Sequence, residues 1–158
     1  MHSVAKETQS MEALLENPAF RVYAICSAIL GIKMLASAIY TGTRRQKTTG
    51  FINPEDVQAF APPGTTVRGE EASEVAHALR IQRNDGENIP LFFAVGLIYV
   101  LTGASAFGAA VLCGLFTAAR IAHTLAYTYR KQPARAICFA VGTACTLVMI
   151  FRIFVNVL

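Results

Sequence analysis

Two polar segments interrupt the apolar part of this chain: Arg80-Ile-Gln-Arg-Asn-Asp-Gly-Glu87 and Arg120-Ile-Ala-His-Thr-Leu-Ala-Tyr127. Residues three, four or seven positions apart lie on one face of an α-helix. In the first segment this spacing places a guanidinium, an amide and a carboxylate on one face: Arg80, Asn84 and Glu87. A second guanidinium, that of Arg83, lies beside them. In the second segment it aligns a guanidinium, an imidazole and a phenol: Arg120, His123 and Tyr127.

Residues 88–119, which join the two segments, are uncharged and are broken only by Thr102-Gly-Ala-Ser105. A tight turn there makes the flanking helices antiparallel neighbours, so residues equally far from the turn lie at equal depth. The register predicts three facing pairs: Glu87 with Arg120, Asn84 with His123, and Arg80 with Tyr127. Because so many ionisable groups converge between apolar helices, we interpret them as a polar binding site. The alternative is a polar network that only holds the helices together.

The composition indicates an integral membrane protein. Of 158 residues, 54% are hydrophobic and only 15% are charged, which leaves too little polar surface for a soluble domain of this size. The formal charge of +4 does not indicate nucleic-acid binding. The basic residues cluster at the ends of apolar segments, with no interleaved aromatic residues for base stacking.

We predict one all-α membrane domain over residues 1–158, a bundle of four transmembrane helices spanning about 19–41, 71–102, 106–129 and 136–158. The first and third connections are basic and the second carries no charge. An even number of crossings separates the two basic connections, so they lie on one side of the membrane. The positive-inside rule places them in the cytosol and both termini in the lumen, with the polar site toward the cytosolic half.

Lys33 lies near the middle of the first apolar span, where a charge is costly unless it is paired. We expect a lysine that either extends its charge to the membrane surface or pairs structurally, rather than one with a direct role. The four cysteines fall inside apolar spans without a Cys-x-x-Cys pattern: Cys26, Cys113, Cys138 and Cys145. This pattern argues against a disulfide framework and against zinc, and it favours small buried apolar side chains.

The residue types of the polar site indicate its ligand. Guanidiniums in excess suit carboxylates, which they bind with two parallel hydrogen bonds, and one glutamate suits an amine. A small zwitterion with more than one carboxylate fits this set. Glutathione has two carboxylates, an ammonium group and a thiol.

At these positions the chain resembles the family of membrane-associated proteins in eicosanoid and glutathione metabolism. The branch it resembles contains the microsomal glutathione transferases and the microsomal prostaglandin E synthases. The resemblance covers nearly the whole chain and rests on five blocks: Ile32-Lys-Met34, Phe51-x-Asn-Pro-Glu-Asp56, Arg80-x-x-Arg-Asn-Asp-x-Glu-Asn-Ile89, Arg120-x-x-His-Thr-x-Ala-Tyr127 and Pro133-x-Arg135. It implies a four-helix protomer, a homotrimer and a glutathione site at each subunit interface, open to the cytosol and the bilayer.

The resemblance also implies roles for single residues. Arg80, Arg83, Asn84 and Glu87 match positions that hold the glutathione backbone, and Arg120, His123 and Tyr127 match the partner helix. Arg45 matches an arginine that reaches the site of an adjacent subunit. Arg135 matches the arginine associated with the glutathione thiolate, which makes it the predicted catalytic residue.

Departures from the family pattern bear on the subtype. Ala136 and Phe139 stand where the prostaglandin E synthases have a serine and a tyrosine, and they match the transferase side together with Glu87-Asn-Ile89. Leu79-Arg80 and Arg83-Asn84 match the synthase side.

Three functions are therefore open. The leading one is a glutathione transferase and peroxidase for lipophilic electrophiles or lipid hydroperoxides. The second is a prostaglandin E synthase, and the third is a non-enzymatic lipid-binding scaffold. The expected location is the endoplasmic reticulum membrane, with the outer mitochondrial membrane as a further site.

Overall fold

The computed structural model describes residues 12–48 and 51–158, and every regular element within these ranges is α-helical. A helical stretch at residues 12–16 precedes five helices: α1 (Pro18–Thr48), α2 (Pro54–Phe60), α3 (Ser73–Leu101), α4 (Ala106–Thr128) and α5 (Gln132–Val157). The all-helical prediction is confirmed. Three helices, α1, α4 and α5, are long and apolar enough to cross a membrane.

Helix α3 is not among the three candidate spans. Charged residues occupy its first half, and its uncharged part, residues 88–101, is shorter than the roughly 20 apolar residues that span a bilayer. The fourth span therefore stays a prediction.

Two helices extend further into the basic connections than the sequence predicts. Helix α1 continues to Thr48, so Arg44, Arg45 and Lys47 lie in its last turns and not in a loop. Cations are favourable there because the C-terminal end of a helix carries partial negative charge. Helix α5 begins at Gln132, with proline in its first turn, so Arg135 is helical as well.

The chain forms two compact units, Ile32–Glu87 and a second made of Asn88–Leu158 with the chain up to Gly31. In the first unit a buried ion pair joins α1 to α3. Lys33 Nζ lies 2.6 Å from each carboxylate oxygen of Asp85, and the Ser37 hydroxyl donates to the same carboxylate at 2.8 Å. Asp85 is only 1% exposed. The predicted structural pairing of Lys33 is confirmed.

Short helix α2 belongs to the same unit and begins as the sequence predicts, with Asn53 at the N-cap and Pro54 in the first turn. The Asn53 side chain does not cap the backbone, however. Its amide donates to the Asp56 carboxylate at 3.2 Å.

In the second unit, the end of α3 and α4 form the predicted antiparallel hairpin. The turn contains Gly103 at φ 93°, a backbone conformation that favours glycine, and the Ser105 hydroxyl caps α4 by accepting from Gly108 N at 3.0 Å. The rings of Phe92 and Phe116 stack with their centroids 4.3 Å apart. In each predicted facing pair, such as Glu87 with Arg120, the two residue numbers add up to 207. For the observed Phe92–Phe116 pair they add up to 208, so the observed register differs from the predicted one by one residue.

A short turn closed by two backbone hydrogen bonds separates α4 from α5. Lys131 N donates to Ala126 O at 2.8 Å and Arg130 N donates to Tyr127 O at 3.0 Å, the pattern of a Schellman motif. Arg130 has φ 56°, the left-handed conformation that this motif needs and that a residue with a Cβ adopts at a cost. The turn ends α4 directly after Tyr127 and begins α5 shortly before Arg135.

The Lys33–Asp85 pair makes a testable prediction about stability. Removing one partner, by Lys33→Met or Asp85→Leu, leaves a buried charge uncompensated and should lower the free energy of unfolding by roughly 3–5 kcal/mol. The double variant removes both charges and should recover most of that loss. Thermal unfolding in detergent measures all three, and a double variant as unstable as the sum of the single ones would contradict the prediction.

Candidate functional site

Three of the predicted site residues meet where α4 ends and α5 begins. The Arg135 guanidinium carbon lies 4.5 Å from the centroid of the Tyr127 ring, and the rings of Tyr127 and His123 are 5.9 Å apart. His123 is buried at 4% exposure, whereas Tyr127 and Arg135 are half-buried. A cation, a phenol and an imidazole therefore line up from the edge of the helix pair to its interior.

Arg120 lies deeper between the same two helices and is fully buried. Its guanidinium carbon is 5.2 Å from the centroid of the Phe116 ring and 5.5 Å from that of the Phe139 ring. Nη2 donates to the Phe139 backbone oxygen at 3.4 Å. The face of an aromatic ring is negative, so both rings stabilise the charge.

Gly142 on α5 makes room for this guanidinium. A Cβ built there would fall on Arg120 Nη2 and would stand 2.8 Å from Nε and 3.0 Å from the guanidinium carbon. A side chain larger than hydrogen is therefore excluded while Arg120 keeps its position. On α5, Arg135, Phe139 and Gly142 follow each other at helical spacing and supply one face toward α4.

The other unit carries the predicted residues of α3. Arg83 Nε donates to Glu87 Oε1 at 3.0 Å, and their side chains are 82% and 59% exposed. Arg80 is exposed and Asn84 is half-buried. Asp85, on another face of the same helix, is buried against Lys33. The first polar segment thus presents one charged face outward and buries a single carboxylate.

Arg45 lies in the same unit, near the end of α1. Its Nη2 donates to Glu71 Oε1 at 2.8 Å. Its side chain is 31% exposed and that of Glu71 is 17% exposed. Arg45 Nε and the second oxygen of Glu71 are buried without a hydrogen-bond partner among the described residues. The ion pair fixes Arg45 but leaves part of its bonding capacity unused.

Within one unit the structure brings together Arg120, His123, Tyr127 and Arg135, and within the other it brings together Arg83 and Glu87. The predicted pairs Glu87–Arg120, Asn84–His123 and Arg80–Tyr127 each take one residue from either unit, and they stay predictions. Sequence reasoning gave Asp85 no role. A lysine in the middle of an apolar span needs a carboxylate partner, and a search for that partner in the sequence could have identified Asp85.

All four cysteines are free thiols, and Cys26, Cys113 and Cys145 are buried as expected.

Apolar helices of spanning length with buried and half-buried cations define a helical membrane protein. Residues 23–155 match the MAPEG family, and the chain belongs to that family.

Two kinds of relative are similar over most of the chain. Microsomal glutathione S-transferase 1 of Bos taurus is 35% identical over 152 residues, covering 91% of this chain and 94% of the relative. The Homo sapiens protein of the same name is 35% identical over 148 residues, covering 89% and 92%. Prostaglandin E synthase of Homo sapiens is 33% identical over 130 residues, covering 82% and 84%.

The contact between Arg120 and Gly142 predicts the effect of one methyl group. Gly142→Ala should displace the guanidinium and lower the free energy of unfolding by about 1–3 kcal/mol, the usual cost of overpacking. Gly114→Ala is the matched control, since Gly114 is also inside a helix but has nothing within 4 Å of its added Cβ. There the change should be neutral or stabilising by up to about 1 kcal/mol. Equal melting temperatures in detergent for the two variants would contradict the contact.

Proposed function

We propose that this protein is a membrane-bound glutathione transferase and peroxidase. It activates glutathione as a thiolate, which attacks lipophilic electrophiles or lipid hydroperoxides that arrive through the bilayer. Glutathione is a co-substrate in this proposal. Membership of the MAPEG family and the names of the transferase relatives support it.

One observation carries the chemical part of the proposal. Arg135 is a half-buried cation fixed over the Tyr127 ring, and none of the ion pairs among the described residues involves it. A positioned cation without a carboxylate partner is suited to a ligand that gains negative charge. A thiol that ionises is such a ligand.

The energetics of this step are modest. The pKa of a free thiol is near 8.5, and a cation beside the sulfur lowers it because the charged form is favoured. A shift of about two units corresponds to about 2.7 kcal/mol. A thiolate then forms at neutral pH without a protein base, and the proton leaves to solvent.

Two reactions follow from the same thiolate. With an aryl or alkyl halide, a sulfur–carbon bond forms and halide leaves with the bonding electrons. With a hydroperoxide, sulfur attacks one peroxide oxygen, the oxygen–oxygen bond breaks, and an alcohol leaves after taking a proton. The sulfenic acid of glutathione so formed is reduced by a second glutathione, which gives the disulfide and water.

The remaining predicted residues would hold the tripeptide. We propose that the cationic residues bind its carboxylates, that Glu87 binds its ammonium group, and that amide, imidazole and phenol groups orient its backbone. These residues are Arg45, Arg80, Arg83, Asn84, Glu87, Arg120, His123 and Tyr127.

The second candidate is a glutathione-dependent prostaglandin E synthase. Its support is the prostaglandin E synthase of Homo sapiens at 33% identity, close to the 35% of the transferases. The thiolate would attack one oxygen of the endoperoxide and break the oxygen–oxygen bond. The other oxygen leaves as an alkoxide and takes up a proton to become a hydroxyl. Loss of the proton from the carbon that bears the sulfur-bound oxygen then forms the ketone, breaks the sulfur–oxygen bond and restores the thiolate.

A substrate panel tests the proposal against both alternatives. Purified protein in detergent is assayed with glutathione against a chlorinated nitrobenzene, a lipid hydroperoxide and the prostaglandin endoperoxide. Turnover of the first two supports the transferase and peroxidase. Turnover of only the endoperoxide establishes the synthase, and turnover of none, with lipid binding retained, supports a scaffold.

Arg135→Ala should remove the cation that stabilises the thiolate. The rate of the chemical step should fall about 25-fold at pH 7, because a rise in thiol pKa from about 6.5 to about 8.5 lowers the thiolate fraction by that factor. Glutathione affinity should change by less than about fivefold, because the peptide contacts lie elsewhere. Ultraviolet absorbance of the bound thiolate, titrated against pH, is the direct measurement.

Two further variants control that experiment. Lys131→Ala removes a basic, exposed residue from the adjacent turn and should leave the titration unchanged. Arg135→Lys should restore part of the shift. An unchanged thiolate pKa in Arg135→Ala would overturn the assigned role.

We further propose that the active unit is a homotrimer in which Arg45 serves the site of a neighbouring subunit. The charged face of α3 supports an oligomer, since Arg83 and Glu87 are 82% and 59% exposed in one chain. Such a face is costly when it is turned to lipid, and a second subunit would cover it. The number three and the role of Arg45 come from the family resemblance. We also propose that the site lies on the cytosolic side of the endoplasmic reticulum membrane, a proposal that the same resemblance and the basic residues of the first and third connections support.

Mixing two inactive variants tests the shared site. Arg45→Ala and Arg83→Ala should each be inactive alone, and coexpression should return part of the activity. In a mixed trimer some interfaces pair an intact Arg45 with an intact Arg83. Mixed oligomers that form but stay inactive would contradict the sharing and leave Arg45 as the partner of Glu71 alone.

A further inference from the structure

A cavity of about 400 Å³ lies far from Arg135, where α3 ends, α4 begins and the last turns of α5 pass. Seventeen residues of helix separate Arg135 from Arg152, which lines the cavity, so the two lie roughly 26 Å apart along α5. The cavity is therefore separate from the proposed catalytic residue Arg135. Its polar lining residues are Tyr99, Ser105, Arg152 and Asn156, and its apolar ones include Leu112 and Val148.

Each polar side chain of this cavity can donate a hydrogen bond. Arg152 is exposed, and none of the ion pairs among the described residues involves it. The Asn156 amide donates to Thr102 O at 3.0 Å, which ties the end of α5 to the α3–α4 turn and leaves a second amide hydrogen. Among the described residues, no aspartate or glutamate lines the cavity.

Tyr99 is the best-fixed of these groups. It is 4% exposed, yet its hydroxyl makes no hydrogen bond with another residue in the described part of the chain. A Cβ built on Gly108 would stand 2.7 Å from that hydroxyl and 3.1 Å from the Ser105 hydroxyl, so both hydroxyls lie beside Gly108. Tyr99 lines the cavity, where its hydroxyl can donate a hydrogen bond to a ligand.

The position of the cavity indicates which class of ligand it can bind. It lies at the first residues of α4 and the last turns of α5, which are both candidate membrane spans. The ends of spanning helices lie at the depth of the lipid headgroups. A guanidinium, a phenol and hydroxyls at that depth suit a phosphate, and the apolar wall beside them suits the glycerol backbone and the start of an acyl chain.

We propose that this cavity binds the phosphate group of a membrane phospholipid. Arg152 neutralises the phosphate and Tyr99 donates to one of its oxygens. Leu112 and Val148 contact the apolar part of the same molecule. A free phosphate ion would satisfy the polar groups only, which is why the lipid is the preferred source.

Titration of delipidated protein tests the proposal. Protein in a phosphate-free detergent is titrated with dioctanoyl phosphatidic acid, with dioctanoylglycerol, which has the same chains without phosphate, and with inorganic phosphate. Native mass spectrometry counts the bound molecules. We expect saturable binding of one phosphatidic acid per chain, no saturable binding of dioctanoylglycerol, and no competition by inorganic phosphate at equal concentration.

Three variants assign the binding to this cavity. Arg152→Gln should weaken phosphatidic acid binding about tenfold, as expected for the loss of a charge-assisted bond. Tyr99→Phe should weaken it about fivefold, since only a neutral hydrogen bond is lost. Arg21→Gln is the matched control, because Arg21 is an exposed arginine that does not line the cavity, and it should bind as the unchanged protein does.

Three results would overturn the proposal. Unchanged binding in Arg152→Gln means that the lipid sits elsewhere. Equal binding of dioctanoylglycerol means an apolar groove, and competition by inorganic phosphate at equal concentration means a site for a free anion. Transferase activity is not a readout here, so failure of the lipid site leaves the proposed function intact.

Discussion

The buried charge of Arg120 constrains how the helices α4 and α5 pack. A guanidinium with no exposed surface costs several kcal/mol unless its surroundings compensate. Here two phenylalanine rings face it, a backbone oxygen accepts from it, and a glycine leaves the space that it fills. Because each of these groups sits at a fixed position on its helix, the register of α5 against α4 follows from the need to accommodate one side chain. That register also brings Arg135 over Tyr127.

The first polar segment divides its charges between two tasks. Asp85 is buried and holds Lys33, so it serves stability. Arg83 and Glu87 project outward with most of their surface exposed, so they are available to a ligand or a second subunit. Helical spacing separates the two sets because neighbouring residues point in different directions. The same turn of helix can therefore bury one carboxylate in the core and expose a charged face on its other side.

Much of this arrangement could be read from the sequence because its physical causes are local. The turn at Gly103 and the apolar segments on either side predict an antiparallel hairpin, and the Phe92–Phe116 stack confirms the hairpin with a register that differs by one residue. Helix limits were less predictable. Arg45 and Arg135 were assigned to connections, but both lie on helices, since basic residues near a helix end do not by themselves stop it.

Contacts that depend on side-chain direction were harder still. Asp85 was overlooked because the pattern drew attention to the opposite face of α3, and nothing in the sequence pointed from Arg120 to Gly142. The pairing of Arg45 with Glu71 joins residues 26 positions apart through a connection without repeating pattern. The predicted glutathione-binding residues rest on the family resemblance. Those of α1 and α3 belong to one compact unit and those of α4 and α5 to the other, and contacts are described only within each unit.

The ion pair between Lys33 and Asp85 has a consequence for how the protein is made. Lys33 is the midpoint of α1, and its partner is encoded 52 residues later. At ribosomal speeds of roughly 5–20 residues per second, α1 leaves the ribosome about 3–10 seconds before Asp85 does. During that interval the lysine faces the insertion penalty of roughly 2.5–3.5 kcal/mol for a charge at the centre of a helix. Until Asp85 emerges, the membrane insertion of α1 is therefore less favourable by that amount, and the pairing removes the penalty only after the third helix has been made.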